Sequence, residues 1–241
     1  MSNFFNPSSP LPSYRTQREI PWVTYSMLGI TVVVYLLQLL TQTLVGGDIP
    51  ASLGAKINTL IAQGQFWRLL TPIWLHGSLL HIGFNMYALY IIGPGLERSF
   101  GHRRFLLLYL ITGFTGNVLS YLFTPNTSLG ASTAVFGIIA AEVVYLMRNR
   151  QMFAGNVQRI ITNRIMILAI NLMLGFSSSG VDNFGHLGGM IGGLLFGWLA
   201  GRLYDTQNYG YQTRDKRTSG EVILVSLVIV AAFGALAYFK P

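Results

Sequence analysis

The chain has 241 residues, of which 51% are hydrophobic and 10% charged, where a soluble domain carries roughly a quarter charged residues. That deficit excludes an ordinary soluble globular protein, and the absence of cysteine excludes disulfides and thiolate metal sites. The net charge of +8 does not point to nucleic acid, because the basic residues sort to one side of a membrane.

Residues 1–21 are polar and proline-bearing and read as a short disordered cytoplasmic arm, not a cleavable signal peptide. Charged residues are absent from 20–47, 69–96, 105–141, 165–181, 183–201 and 222–239. The third window is too long for one span, and Thr124-Pro125-Asn126-Thr127-Ser128 divides it. With about 20 apolar residues per crossing, the windows predict seven helices near 22–45, 79–97, 104–124, 130–147, 160–176, 184–203 and 221–239. Residues 46–78 form a long outer loop whose Phe66, Trp67 and Trp74 suit the membrane interface. Residues 175–183 form a small-residue, mobile outer loop, and 204–220 a polar cytoplasmic linker. The last helix, within 221–241, is apolar all round and reads as appended to a six-helix core over 22–203.

With the N-terminus inside, 13 Lys and Arg fall in inner segments and three (Lys56, Arg68 and Lys240) in outer ones. This positive-inside bias places the N-terminus in the cytoplasm and the C-terminus outside. Compact form and the lack of sorting signals point to a bacterial inner membrane.

Polar side chains within spans are costly and are functional candidates by default. They are His81 and Asn85 on the second helix, Ser132, Thr133 and Glu142 on the fourth, and His186 on the sixth. These three helices run from outside to inside, and each ends at an arginine. Ser132 lies 16 residues before Arg148, His186 16 before Arg202, and His81 17 before Arg98. At 1.5 Å per residue all three sit roughly 24–26 Å above the inner boundary. Asn85 is one turn deeper on the face of His81.

A hydroxyl and an imidazole at one depth form a nucleophile–base pair. The first four N–H groups of a helix lack internal partners, so those around Ser132 can meet an oxyanion, with His81 and Asn85 as further donors. Everything for acyl transfer is present except a triad acid. Gly185, Gly189, Gly193, Gly197 and Gly201 recur every four residues, with Gly188 and Gly192 beside them, and Gly137 and Ala141 are spaced likewise. Such small-residue faces allow close approach of the fourth and sixth helices, bringing His186 to Ser132. Glu142 reads as a structural or proton-linked carboxylate, His102 as solvated and His76 as a hydrogen-bonding loop residue. Asp182, four residues before His186, reads as a loop carboxylate or as an orienting group.

Four ordered motifs, GQFWRLLTPIWLHGSLLHIGFNMYAL, GLERSFGHRRFLLLYL, GASTAVFG and FGHLGGMIGG, resemble those of the rhomboid family of intramembrane serine proteases, over about residues 60–203. The resemblance implies an all-α membrane protein, a six-transmembrane-helix rhomboid-like bundle, here with one C-terminal transmembrane helix added. It implies Ser132 as nucleophile and His186 as base, without an acid, and His81, Asn85 and the Ser132 backbone as oxyanion donors. Gly130 becomes the motif glycine beside the nucleophile, Phe136 an aromatic packed on the base, and His76 a histidine on the substrate side. Trp67-Arg68 and Glu97-Arg98 match family signatures, and 175–183 a mobile cap. Thr133 departs from the glycine usual after the serine; its branched side chain would either crowd the oxyanion site or face a neighbour.

The expected activity is cleavage of membrane-anchored protein substrates near the outer end of their transmembrane helices, within the lipid bilayer. It requires no cofactor, metal or nucleic acid. The alternatives are an inactive rhomboid-like protein that binds membrane clients, and a proton-linked transporter, which would show symmetrically broken helices.

Overall fold

A computed structural model describes residues 19–153, 155–178, 180–204 and 215–240. Most of the expected arm (1–18) and most of the linker (205–214) lie outside the described residues, as does Ser179 of the outer loop. The described elements are helical, with two isolated β-bridges.

Seven long helices fall where the charge-free windows place them. They are α1 (Trp22–Val45), α4 (Leu79–Phe100), α5 (His102–Phe123), α6 (Ser132–Arg148), α7 (Val157–Phe176), α8 (Asn183–Leu199) and α9 (Ser219–Tyr238), with α2 (Ile49–Gly54) and α3 (Asn58–Ala62) between α1 and α4. Five of them, α1, α4, α5, α7 and α9, are long and apolar enough to cross a membrane. The 17-residue helices α6 and α8 would each reach about 25 Å. α4 runs about a turn past its expected end, to Phe100, and Glu97 is buried within it. Its carboxylate accepts from Val23 N–H (2.9 Å), Thr24 N–H (2.7 Å) and Thr24 Oγ1 (2.6 Å), satisfying the open donors of α1. His102, expected to be solvated, is held at 2.5 Å from the same carboxylate.

The core is built on α5, α6 and α8, which make the most extensive helix contacts in the chain. α8 has two small-residue faces, and each meets a different helix. A Cβ on Gly189 would lie 2.0 Å from the Thr133 carbonyl oxygen, and one on Gly193 2.1 Å from that of Gly137. On the neighbouring face, Gly188 and Gly192 would meet Thr115, whose hydroxyl donates to the Gly188 carbonyl at 3.0 Å. The close packing of α8 on α6 is therefore backbone on backbone.

α9 is apolar throughout but docks by one stripe, Val222, Ser226, Ile229, Phe233 and Ala237, mainly on α5. A capping box of Thr218 and Glu221 starts it. The Lys240 ammonium ends it, donating to the Tyr121 carbonyl and lying 4.0 Å from that ring. Glu142 pairs with Arg164 of α7 at 2.6 Å, a structural role.

The segment between α1 and α4, expected as an outer loop, is more structured than its sequence suggests. Arg68 is buried and donates to Gln65 Oε1 (2.7 Å), the Ala55 carbonyl (2.9 Å) and the Ser52 carbonyl (2.7 Å). Phe66 and Trp67 are exposed, as interface residues would be, whereas Trp74 packs against the core. Lys56 is fully buried, and its ammonium donates to the carbonyls of Thr124 (2.8 Å) and Asn126 (2.7 Å). Burial pushes this ammonium down to about 8, against the raising effect of Asp182 and with Lys240 lowering it further. Between about 8 and 10.5 the unfolded chain therefore binds a proton that the folded chain does not. The stability from this site is complete above 10.5 and is lost as pH falls through about 8. Thermal unfolding followed from neutral to alkaline pH should show the parent gaining on Lys56→Met across that window. A constant difference would contradict the assignment.

Candidate active site

The segment that enters α6 is shaped by Gly130, at φ 134°, a conformation open to glycine and strained for other residues. Its N–H donates to the Pro72 carbonyl at 2.9 Å. A Cβ here would lie 2.7 Å from Cε1 and Nε2 of His81 and 3.7 Å from Ser132 Oγ. The missing side chain is thus the space between the His81 ring and the serine. Ser132 is the first residue of α6, where the backbone N–H groups are open.

His76 supports this segment from behind. It is buried, its Nε2 lies 3.4 Å from the Ala131 N–H, and its ring meets that of His81 edge-on at 5.0 Å. The His76 backbone is clamped by Gln38 of α1, which accepts from its N–H at 3.0 Å and donates to its carbonyl at 3.2 Å. Gln38 also donates to Asp48 at 2.7 Å. Sequence reasoning missed Gln38, although an amide within an uncharged span, here Gln38 with Gln42 one turn on, is itself a signal. Ser78 caps α4 by accepting from the His81 N–H at 3.2 Å, and so fixes the turn that carries His81.

The His186 ring stacks on Phe136, centroid to centroid 4.1 Å and 4° from parallel. Phe136 is one turn beyond Ser132, so the stack ties the imidazole to the serine's own helix. Nδ1 of His186 is buried without a hydrogen-bond partner among the described residues. Asp182 does not orient the ring. Its carboxylate caps α8 by accepting from the Gly185 N–H at 2.9 Å, and it also accepts from Ser120 Oγ and from Thr124 Oγ1 (3.0 Å). Burial pushes this carboxyl up, but hydrogen bonds from Ser120, Gly185 and Ser128 and the Lys56 charge outweigh it and hold the group below its ordinary value.

Ser132, His186, His81, Asn85 and Phe136 all line one cavity of about 850 Å³, walled by α4, α6, α7 and the first turn of α8. Ser132 and His186 share it without a hydrogen bond between them; such contacts are often long before substrate binds. Asn85 donates one amide N–H to the His81 carbonyl at 2.9 Å, which leaves its second for a ligand. Thr133 does not crowd the cavity. A Cβ on Gly116 would lie 2.5 Å from Thr133 Cβ, and one on Gly185 3.2 Å from Thr133 Cγ2. The branched side chain therefore fills the seam between α5 and α8. No group of His, Cys, Asp or Glu with metal-site geometry occurs among the described residues.

An apolar helical bundle with polar side chains gathered at one end of its central helices defines an integral, multi-pass membrane protein. The Rhomboid domain family matches residues 63–203, and the chain belongs to the rhomboid family. It is 40% identical to the rhomboid protease GluP of Bacillus subtilis over 213 residues, 88% of this chain and 40% of that protein. It is 42% identical to RHOMBOID-like protein 4 of Arabidopsis thaliana over 147 residues, 61% of this chain and 37% of the relative. Mitochondrial RHOMBOID-like protein 6 of the same plant is 34% identical over 192 residues, 75% of this chain and 62% of the relative. The chain thus spans less than two thirds of the length of each.

Proposed function

We propose that this protein is an intramembrane serine endopeptidase that cuts membrane-anchored substrates near the outer end of their transmembrane helices. Ser132 is the nucleophile and His186 the base. The observation that carries this reading is the convergence of Ser132, His186, His81 and Asn85 on one cavity at the start of α6. The reading takes seven membrane crossings, a six-helix core plus α9, with the N-terminus in the cytoplasm and the C-terminus outside a bacterial inner membrane. The charge asymmetry of the loops supports that orientation.

In the reaction, Ser132 Oγ adds to the scissile carbonyl while His186 takes its proton. The Ser132 N–H, His81 and Asn85 donate to the resulting oxyanion. The carbon–nitrogen bond breaks, the imidazolium gives its proton to the leaving amine, and an acyl-serine remains. Water, deprotonated by His186, then releases the acid and regenerates the serine. Phe136 holds the ring plane, and the bare Gly130 leaves room for the oxyanion beside His81. An intact substrate helix shields its peptide bonds, so small or helix-breaking residues at the cleavage site favour turnover. The client-binding alternative would be favoured by loss of Ser132 or His186, and both are present.

Incubation of the purified protein in lipid vesicles with a single-span substrate should give one main cut, mapped by mass spectrometry, in the outer quarter of the span. Cuts scattered through the soluble flanks, or none, would contradict the reading. Asn85→Ala should lower kcat with little change in KM, since one lost oxyanion donor typically costs about 2.7–4 kcal/mol. His81→Ala should behave likewise, with some loss of stability because its ring packs against His76. A KM defect alone in both variants would remove them from the oxyanion site.

A further inference from the structure

We propose that Asp182 is a positioning residue for the dyad, because its buried cluster fixes the first turn of α8 and the segment entering α6 to one anchor on α5. The role rests on the protease reading above.

The α8 side of the cluster is short and direct. Asp182 accepts from the Gly185 N–H through its side chain and from the His186 N–H through its carbonyl, at 2.9 and 3.1 Å. The carboxylate oxygens also take the hydroxyls of Ser120 and Thr124, at the end of α5. The α6 side meets at the same place. Ser120 Oγ is 3.2 Å from Ser128 Oγ, and the Ser128 backbone pairs in both directions with Lys56, at 3.0 and 3.1 Å. The Lys56 ammonium holds the Thr124 and Asn126 carbonyls between them. Ser128 precedes Ser132 by four residues, and Asp182 precedes His186 by four.

A helix cap needs only the Gly185 contact. The bonds to α5 are additional, and the packing of α8 gives them work to do. Its contact faces are glycines, which allow close approach but give α8 few side-chain ridges of its own to fix its position along the axis. The Phe136 stack fixes the plane of the His186 ring, yet parallel rings can slide. Further along, the Thr115 hydroxyl ties α8 to α5 at the Gly188 carbonyl; the Asp182–Ser120–Thr124 bonds add an axial restraint at the turn that carries His186. They set the depth of His186 relative to Ser132, so the acid that the ring lacks acts instead on the helix that carries it.

The test compares the parent with Asp182→Ala, Asp182→Asn and the double variant Ser120→Ala/Thr124→Val, which keeps the cap. Three quantities are read in vesicles: the rate of fluorophosphonate labelling at Ser132, kcat and KM on a single-span substrate, and amide exchange at Gly185 and His186. A misplacement of about 1 Å can cost roughly a hundredfold. Asp182→Ala should therefore lose about 10- to 100-fold in labelling rate and kcat, with KM within about twofold of the parent, and exchange faster at both amides. The double variant should lose labelling while keeping the Gly185 and His186 amides protected. The Oδ1 of an asparagine can still accept from the Gly185 N–H and the Thr124 hydroxyl, and its amide N–H can donate to Ser120 Oγ, so Asp182→Asn should recover most of the rate. Faster exchange with parental labelling would reduce Asp182 to a cap and overturn the proposal, as would full labelling by the double variant. A parent that shows no Ser132-dependent labelling would instead overturn the protease reading, and the positioning role with it.

Discussion

Ser132→Ala and His186→Ala should each abolish cleavage, by about 10⁴-fold or more, with the helical fold intact. The two residues act as a unit, so the double variant should be no slower than either single one. Structure retention is expected because neither side chain holds the bundle together. Ser132 is half-buried on the cavity wall, and the His186 ring makes its one aromatic contact with Phe136. Far-ultraviolet circular dichroism and the melting temperature check folding, and cleavage of the single-span substrate checks chemistry. Appreciable turnover by Ser132→Ala would remove the nucleophile. Turnover by His186→Ala close to that of the parent would mean that another group, such as His81, takes the proton.

The second large effect comes from a residue that touches no substrate. Gly189→Val should insert into the membrane and lose about a hundredfold or more in cleavage and in labelling. A Cβ at this position would lie 2.0 Å from the Thr133 carbonyl oxygen and 2.8 Å from the carbonyl carbon. These are backbone atoms of the residue next to the nucleophile, so no side chain can rotate aside. α8 must move away from α6, and His186, three residues earlier, moves with it. Overpacking typically costs about 1–3 kcal/mol, and the loss of rate should exceed what that destabilisation alone explains. Gly189→Ala places the same Cβ and should already be impaired. Leu195→Val adds no bulk to the contact faces and should remain substantially active. Parental activity in Gly189→Val would mean that the α6–α8 contact does not set the Ser132–His186 geometry.

The depth relation and the close approach of α6 and α8 were legible because both follow from one helical period. Residues spaced by 16 or 17 before an inner arginine share a level, and glycines every four residues share a face. Gly130, Phe136 and His76 carried no such signal by themselves. Their places came from the family resemblance, and the bundle puts each beside Ser132, His186 or His81.

What was not legible depended on which elements meet. Nothing local to Thr133 tells whether its branch faces the cavity or the α5–α8 seam; the position of Gly116 on another helix decides it. Glu97 stood out only as part of a family signature with Arg98, yet its burial against the start of α1 makes it a cap for a helix more than 70 residues away in sequence. Lys56 and Arg68 counted as outer positive charges. Both are buried and saturated with carbonyl oxygens from segments that sequence alone does not bring together. Asp182 left a loop carboxylate and an orienting group as alternatives. It is a helix cap tied to α5, and its own hydrogen bonds explain why the His186 ring stays without an acid.

The most direct measurement of the central claim is covalent labelling of the purified, membrane-reconstituted protein by a fluorophosphonate, read as fluorescence on a denaturing gel and mapped by peptide mass. The account predicts one adduct, on the peptide containing Ser132, that disappears in Ser132→Ala and falls to background in His186→Ala. A parent that takes no label, or a label that persists in Ser132→Ala, would contradict it.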